Sequence, residues 1–271
     1  MKKLFSLLLI LAVLMGITAL AGCGPHEGSL GGNPETEPVD LHALVSEANE
    51  RTTNAAYISA RMNLDMKVDA MGDHMDVGVA FTMQADMTDP EKPIIGLDAA
   101  ISSLQGEEIS YGYYYDGQWM YQAINGEGYK IKATLEEFQN ETVGTDNLLV
   151  DLPKELFDGI TATTVDGVTK VELTAESETF KKLYEDMLEQ VLSDVASNKD
   201  IAMEVDDARI AIAVADGYLK SYDLSFKVTC TLGDEYAIYD LNMGIIYDSV
   251  NEKLTVTPPE GYENFTDLGN G

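Results

Sequence analysis

Few side chains in this 271-residue chain have the type and spacing to do chemistry. There are two cysteines, Cys23 and Cys230, and three histidines, His26, His42 and His74. No histidine has a second His, Cys or acid at metal-ligand spacing, so no metal site is expected. No serine stands in a G-x-S-x-G context, and there is no glycine-rich phosphate loop, which removes two common enzyme signatures. Among 47 acidic residues nothing singles out a carboxylate pair for glycoside chemistry. With none of the requirements of a catalytic site met, the chain reads as a non-enzyme without a cofactor. The reactive group that stands out is the thiol of Cys23. It closes the stretch Leu20-Ala21-Gly22-Cys23, at the end of an uncharged apolar run from Leu4 that follows Lys2 and Lys3.

A basic start, an apolar run and small residues at its end make residues 1–22 an export signal. A transmembrane anchor is the competing reading, but the run is shorter than the ~18 or more apolar residues of a spanning helix, and no basic stop-transfer residues follow. Leu20-Ala21-Gly22-Cys23 resembles the lipobox of bacterial lipoproteins. That resemblance implies that the Cys23 thiol receives a diacylglyceryl group, that the Gly22–Cys23 bond is cut, and that Cys23 becomes the lipid-bearing N-terminus. Two or three acyl chains, at roughly 0.8 kcal/mol per buried methylene, give lasting attachment. The expected address is the extracytoplasmic face of the cell membrane, or the outer membrane in a cell that has two.

The elements behind that anchor explain the rest of the composition. With 17 basic against 47 acidic residues the net charge is −30, and removal of the signal takes away two lysines and no acid. A body that acidic is repelled by nucleic acid and by anionic lipid head groups. Residues 24–39 (GPHEGSLGGNPETEPV) have little to bury, so 23–40 reads as the lipidated cysteine and an acidic, flexible tether. Residues 41–271 then form a single β-rich domain. Cys230 has no partner once Cys23 is acylated. Its register with Tyr222, Leu224, Phe226, Val228 and Leu232 makes it a small buried hydrophobe.

Within that domain, Asp40 caps a short amphipathic helix through Leu41, Leu44, Val45 and Ala48. Period-two alternation follows in Tyr57–Val68 and Met75–Met87 across Gly72-Asp73, then in Ile95–Ile101. Residues Ile109–Ile124 form a hairpin split by Asp116-Gly117. Tyr129–Lys132 is another strand, and Thr134 with Glu137 makes a capping box. Ile160–Val165 and Val168–Leu173 pair across Asp166-Gly167. The longest helical stripe runs from Glu176 to Ala196 through Phe180, Leu183, Tyr184 and Met187. Strands Ala208–Ala215, Tyr218–Leu232 and Tyr236–Tyr247 follow, and Leu254–Thr257 with Pro258-Pro259 closes the fold. The 50-residue spacing of Asp-Gly pairs at 116, 166 and 216 is not a blade repeat, because a long helix fills one interval and not the other.

Two clusters invite a binding role. A two-residue turn at Asp116-Gly117 would pair Tyr114 with Trp119 and Tyr113 with Met120, placing aromatics on both faces of the ribbon. One face is core. The other lines a cavity, meets a partner, or is covered by a helix or loop, the simplest of the three. Met62, Met66, Met71, Met75, Met83 and Met87 put half of the twelve methionines in one hairpin, where flexible thioethers suit either a core or a pocket for variable apolar chains.

With the lipobox, the tether, an N-terminal helix, long antiparallel strands and a second long helix, the chain resembles bacterial lipoproteins of the LolA/LppX/LprG-like superfamily. The segment Tyr113-Tyr114-Tyr115-Asp116-Gly117-Gln118-Trp119-Met120-Tyr121, with Lys130 and Lys132 beyond it, is similar to what uncharacterised members carry. The resemblance implies an α+β fold, a strongly curved antiparallel sheet (an unclosed β-barrel) with helices packed on its concave side, enclosing an apolar cavity. The expected function is binding of a lipid or other hydrophobic molecule. Its wall would draw on Met75, Phe81, Met83, Tyr114, Trp119, Phe180 and Tyr184. The alternative is a surface interaction or sensor module for a protein or glycan, its interior fully packed.

Overall fold

The computed structural model describes residues 40–70, 72–103, 108–142, 152–174, 177–183, 202–232 and 235–270. The signal, Cys23, the tether, Met71, most of the helix predicted over 176–196 and Tyr184 lie outside the described residues. Helix α1 is Leu41–Thr53, α2 is Leu135–Thr142 and α3 is Ser177–Leu183. The strands are β1 (Tyr57–Ala70), β2 (Asp73–Asp86), β3 (Ile94–Ser103), β4 (Glu108–Tyr115), β5 (Trp119–Ile124) and β6 (Glu127–Lys132). They continue with β7 (Thr163–Val165), β8 (Val168–Thr174), β9 (Ala202–Ala215), β10 (Tyr218–Leu232), β11 (Glu235–Val250) and β12 (Thr266–Asn270).

The twelve strands among the described residues join one sheet in the order β12-β6-β5-β4-β3-β2-β1-β11-β10-β9-β8-β7. Every pairing is antiparallel except β12 with β6. The two ends do not meet, so the fold is α+β with an open curved sheet and helices against one face. Three bulges bend the centre. Asp248 in β11 is the extra residue between Ser59 and Ala60, Lys220 in β10 is unpaired, and Asp207 with Ala208 in β9 stands opposite Phe226. Each adds local twist and reverses the side-chain alternation beyond it. Asp207, at φ 54°, takes the left-handed conformation the bulge requires.

Alternation then sorts the sheet into an apolar inner face and a polar outer one. In β1, Ile58 through Val68 are buried at every second position while Arg61, Asn63, Asp65 and Lys67 are exposed. Helix α1 lies over β10 and β9, burying Val45, Ala48 and Thr52. Asp40 caps it, its carboxylate accepting from the Ala43 amide at 3.1 Å. Phe138 of α2 stacks on Tyr115 of β4, centroids 5.1 Å apart, and the 3₁₀ turn Lys154–Phe157 sets Phe157 edge-on against His42 at 5.4 Å. The capping box forms as read. Glu137 N–H donates to Thr134 Oγ1 at 3.2 Å, and Thr134 N–H donates to Glu137 Oε2 at 2.6 Å.

The hairpin register differs from the sequence reading by two residues. Tyr115 faces Met120 and Tyr114 faces Tyr121, instead of Tyr114 facing Trp119. The two-residue type I′ turn needs positive φ at both central residues, which Asp166-Gly167 and Asp216-Gly217 adopt, whereas at Asp116-Gly117 only Gly117 does. Instead Asp116 Oδ1 accepts from the amides of Gln118 (3.0 Å) and Trp119 (2.8 Å), closing a longer loop. The chain end also departs from expectation. Residues 253–259 form no strand, and β12, which the sequence does not signal, follows them.

Candidate functional site

The inner face is laid out in rows of cross-strand neighbours. One runs Phe81, Met62, Ile245, Tyr222, Ile212; the next Val79, Leu64, Met243, Leu224, Ile210; another Val77, Met66, Leu241, Phe226. Met83 sits beside Ala60 and Leu97, and Met75 beside Val68. Met62, Met66, Met83 and Met243 are buried, and Met75 is half-buried near the turn of the β1–β2 hairpin. These thioethers form one surface because each occupies an alternate position on strands paired without slippage.

Phenols interrupt this apolar surface, among them Tyr222, Tyr239 and Tyr247, all buried. Burial, and secondarily the neighbouring Cys230, pushes Tyr239 up to about 12. Burial alone holds the Tyr247 phenol far above its ordinary range. Cys230 is itself buried on this face, as its register implied, and burial raises its thiol.

Of the seven cavity residues proposed from sequence, Met75, Phe81 and Met83 lie together on this face. Phe180 is in α3, but its side chain is outside the described residues, as is Tyr184 altogether. Tyr114 and Trp119 point to the opposite face. Tyr115 of the same hairpin faces inward, against Phe138.

On that outer face the aromatics are roofed by the chain's own end. Tyr114, Tyr121 and Val256 form a second small core, with Ile94, Trp119, Leu254, Tyr262 and Phe265 packed around it. Tyr262 meets Tyr121 edge-on at 5.5 Å and Tyr114 at 6.3 Å. Two glycines let the strap sit this close. A Cβ on Gly96 would come within 2.9 Å of Val256, and one on Gly128 within 2.2 Å of the Phe265 ring. Tyr121 donates its hydroxyl to Asp116 Oδ2 at 3.1 Å, and burial, then the Asp116 charge, pushes that phenol up to about 12. Covering by a loop is therefore what the second aromatic face receives. It carries no periodic signal in the sequence, because the strap is irregular chain broken by one short 3₁₀ turn at Tyr262–Asn264.

Beyond the strap the outer face is polar. A depression of 340 Å³ is lined by residues including Asn63, Asp65, Arg209, Asp223 and Asn242. A second, of 510 Å³, is lined by residues including Asp65, Lys67, Asp76 and Ser102. Burial lifts the Asp223 carboxyl above its usual range. Among the described residues no three His, Cys, Asp or Glu side chains gather as they would around a metal ion. His74 lies 3.5 Å from Asp69 at an exposed hairpin end. No helix among them is long and apolar enough to cross a membrane.

No protein-family model matches the chain, and no curated protein sequence matches it. Among solved structures it is similar to LprF from Mycobacterium bovis, at 8% identity and a TM-score of 0.42, covering 82% of this chain and 98% of that one. A DUF1329 family protein from Desulfovibrio piger matches at 10% identity and a TM-score of 0.26, over 79% of this chain and 94% of that one. A beta-barrel-like protein of domain DUF1849 from Brucella abortus matches at 10% identity and a TM-score of 0.22, over 72% and 100%.

Proposed function

We propose that this chain is a lipid-anchored, extracytoplasmic binding protein, tethered through Cys23, whose inner sheet face receives a lipid or another hydrophobic molecule. The observation that carries the reading is the methionine-rich inner face of the β1–β2 hairpin, Met75, Met66, Met62 and Met83 beside Phe81, on a face that is apolar apart from its phenols. Unbranched thioethers re-pack around chains of different shape at little cost, which suits a wall facing variable acyl groups. The driving force is burial of apolar area at roughly 25 cal/mol per Å², so affinity rises with chain length by about fourfold per methylene. The buried phenols Tyr239 and Tyr247 supply polar points for a ligand's oxygen atoms.

The test is native mass spectrometry of the full chain after mild detergent extraction. The expected spectrum contains the protein with an added mass that fragments as a lipid, and delipidated protein regains such a mass when offered fatty acids, longer chains better than shorter ones. A bare protein that takes up nothing overturns the reading. Anchoring is checked separately: Cys23→Ala is expected to move the protein from the membrane fraction to the medium or periplasm, and a variant retained on membranes contradicts it.

A further inference from the structure

The chain has a single tryptophan, and two lysines cover it. Lys130 Nζ lies 5.6 Å from the centroid of the Trp119 ring and Lys132 Nζ lies 5.4 Å from it. Both approach from β6, where Lys132 is the direct cross-strand neighbour of Trp119 and Lys130 that of Tyr121. Two ammonium groups drawn to one ring repel each other, and the ring's negative π-face offsets part of that repulsion. In a chain with 47 acids against 17 bases, the ordinary partner for such a pair would be a carboxylate.

None serves. Neither lysine makes an ion pair among the described residues, and the carboxylates nearest in the sheet are engaged elsewhere. Asp116 accepts from the amides of Gln118 and Trp119 and from the Tyr121 hydroxyl. Asp267, beside Lys130 in the β12–β6 pairing, accepts from the Gly269 amide at 2.8 Å. Glu127 accepts from the Tyr129 hydroxyl, and Glu137 caps α2. The platform beneath is fixed, because Tyr121 and Trp119 are held by the strap through Tyr262 and Phe265.

We propose that Trp119, Lys130 and Lys132 form a binding site for a phosphate group, carried either by a soluble molecule or by a lipid head group. The choice of phosphate follows from the side chains. Lysine offers a compact point charge with rotatable donors rather than the planar fork that arginine presents to a carboxylate. Two such charges match a tetrahedral anion bearing more than one negative oxygen. The surrounding negative field opposes every anion, so binding here depends on the two lysines making this corner of the sheet a local reversal of sign. The site lies on the outer face, away from the inner-face ligand, and stands independently of that reading.

Because Trp119 is the single indole, its emission reports the site directly. Full-length protein in a neutral detergent is titrated with pyrophosphate at constant ionic strength, exciting tryptophan selectively, with sodium chloride as the control. The expected result is a saturable change in emission with pyrophosphate and none with chloride. Lys130→Gln and Lys132→Gln keep the aliphatic stems and should each weaken the midpoint about tenfold or more, as loss of a charge-assisted hydrogen bond does. Lys132→Arg restores part of the affinity, and Lys227→Gln, on a distant strand, leaves it unchanged. Calorimetric titration of the same variants gives a readout that does not depend on the indole's own surroundings. Phosphatidic acid-containing vesicles, compared with pure phosphatidylcholine vesicles, separate the sources: a response to them assigns a lipid head group, and a response to pyrophosphate alone assigns a soluble phosphate. No saturable response to either probe, or an unaltered midpoint in the double Lys→Gln variant, overturns the proposal.

Discussion

Thr52, at the end of α1, and Leu219, in β10, are joined by a buried hydrogen bond: the Leu219 amide donates to Thr52 Oγ1 at 2.9 Å. The same hydroxyl donates back to Ala48 C=O at 2.7 Å, so one side chain serves as acceptor for the sheet and donor to the helix. Thr52 is only 2% exposed, and Leu219 adjoins the bulged Lys220, where the ladder does not bond every amide. Thr52→Val keeps the shape and leaves the Leu219 N–H buried without an acceptor. The expected cost is about 1–3 kcal/mol in urea unfolding. Thr52→Ser should recover most of it, and a Thr52→Val protein as stable as the parent, with the loss falling on Thr52→Ser instead, would show that the methyl group, not the hydroxyl, matters here.

The strap over β3–β6 makes a second prediction. Gly128→Ala places a methyl group where the Phe265 ring lies, 2.2 Å from its nearest atoms, so the ring must leave. A loss of about 1–3 kcal/mol is expected, with faster proteolysis of residues 253–265. The two positions should be strongly coupled. In a Phe265→Ala background the Gly128→Ala change should cost close to nothing, and additive losses in the double-mutant cycle would argue against the strap as the cause.

How much of this was legible in the sequence follows from where period two holds. β1 and β2 pair without a break over most of their length, and their inner set was readable residue by residue. The alternation places the start of β9 at Ala208, although it begins at Ala202, because the bulge at Asp207 switches burial from odd to even positions and the pattern looks like an end. β12 carried no signal. It is a parallel edge strand whose Leu268 is 60% exposed, and edge pairing makes no demand on alternation. The candidate site was half legible for the same reason. Period two groups Phe81 with Met83 at once, but Tyr114 and Trp119 could be assigned a face only after the 116–119 loop fixed their register, and a strap without periodicity then covered them.

Acid should loosen α2 before the sheet. Glu137 accepts from the Thr134 amide and, second, from the Thr134 hydroxyl, which holds its carboxyl below the usual range. A carboxylate whose folded value is depressed contributes stability that is present above its unfolded value and is lost as pH falls through the folded one. Hydrogen exchange of the α2 amides should therefore accelerate as pH drops through the carboxylate range, after correction for intrinsic rates. Glu137→Gln should remove that pH dependence. An unchanged acid profile in Glu137→Gln would place the sensitive group elsewhere.

Base should act on the inner face. Tyr239 ionises near 10 when exposed and near 12 in the fold, so between these values the folded state holds a proton the unfolded state has lost. Stability carried by the neutral phenol is thus complete below about pH 10 and declines as pH rises toward about 12, by on the order of 2 kcal/mol for this side chain. Tyr247, which burial raises in the same direction, adds to the decline. Urea unfolding at about pH 9 and about pH 11 measures it. Tyr239→Phe cannot ionise, so its stability should fall less over that interval than the parent's, even if it begins lower. Parallel declines in the two proteins would mean that the Tyr239 hydroxyl already reaches water in the fold, and that the inner face is open to solvent at the point where Tyr239 meets Cys230.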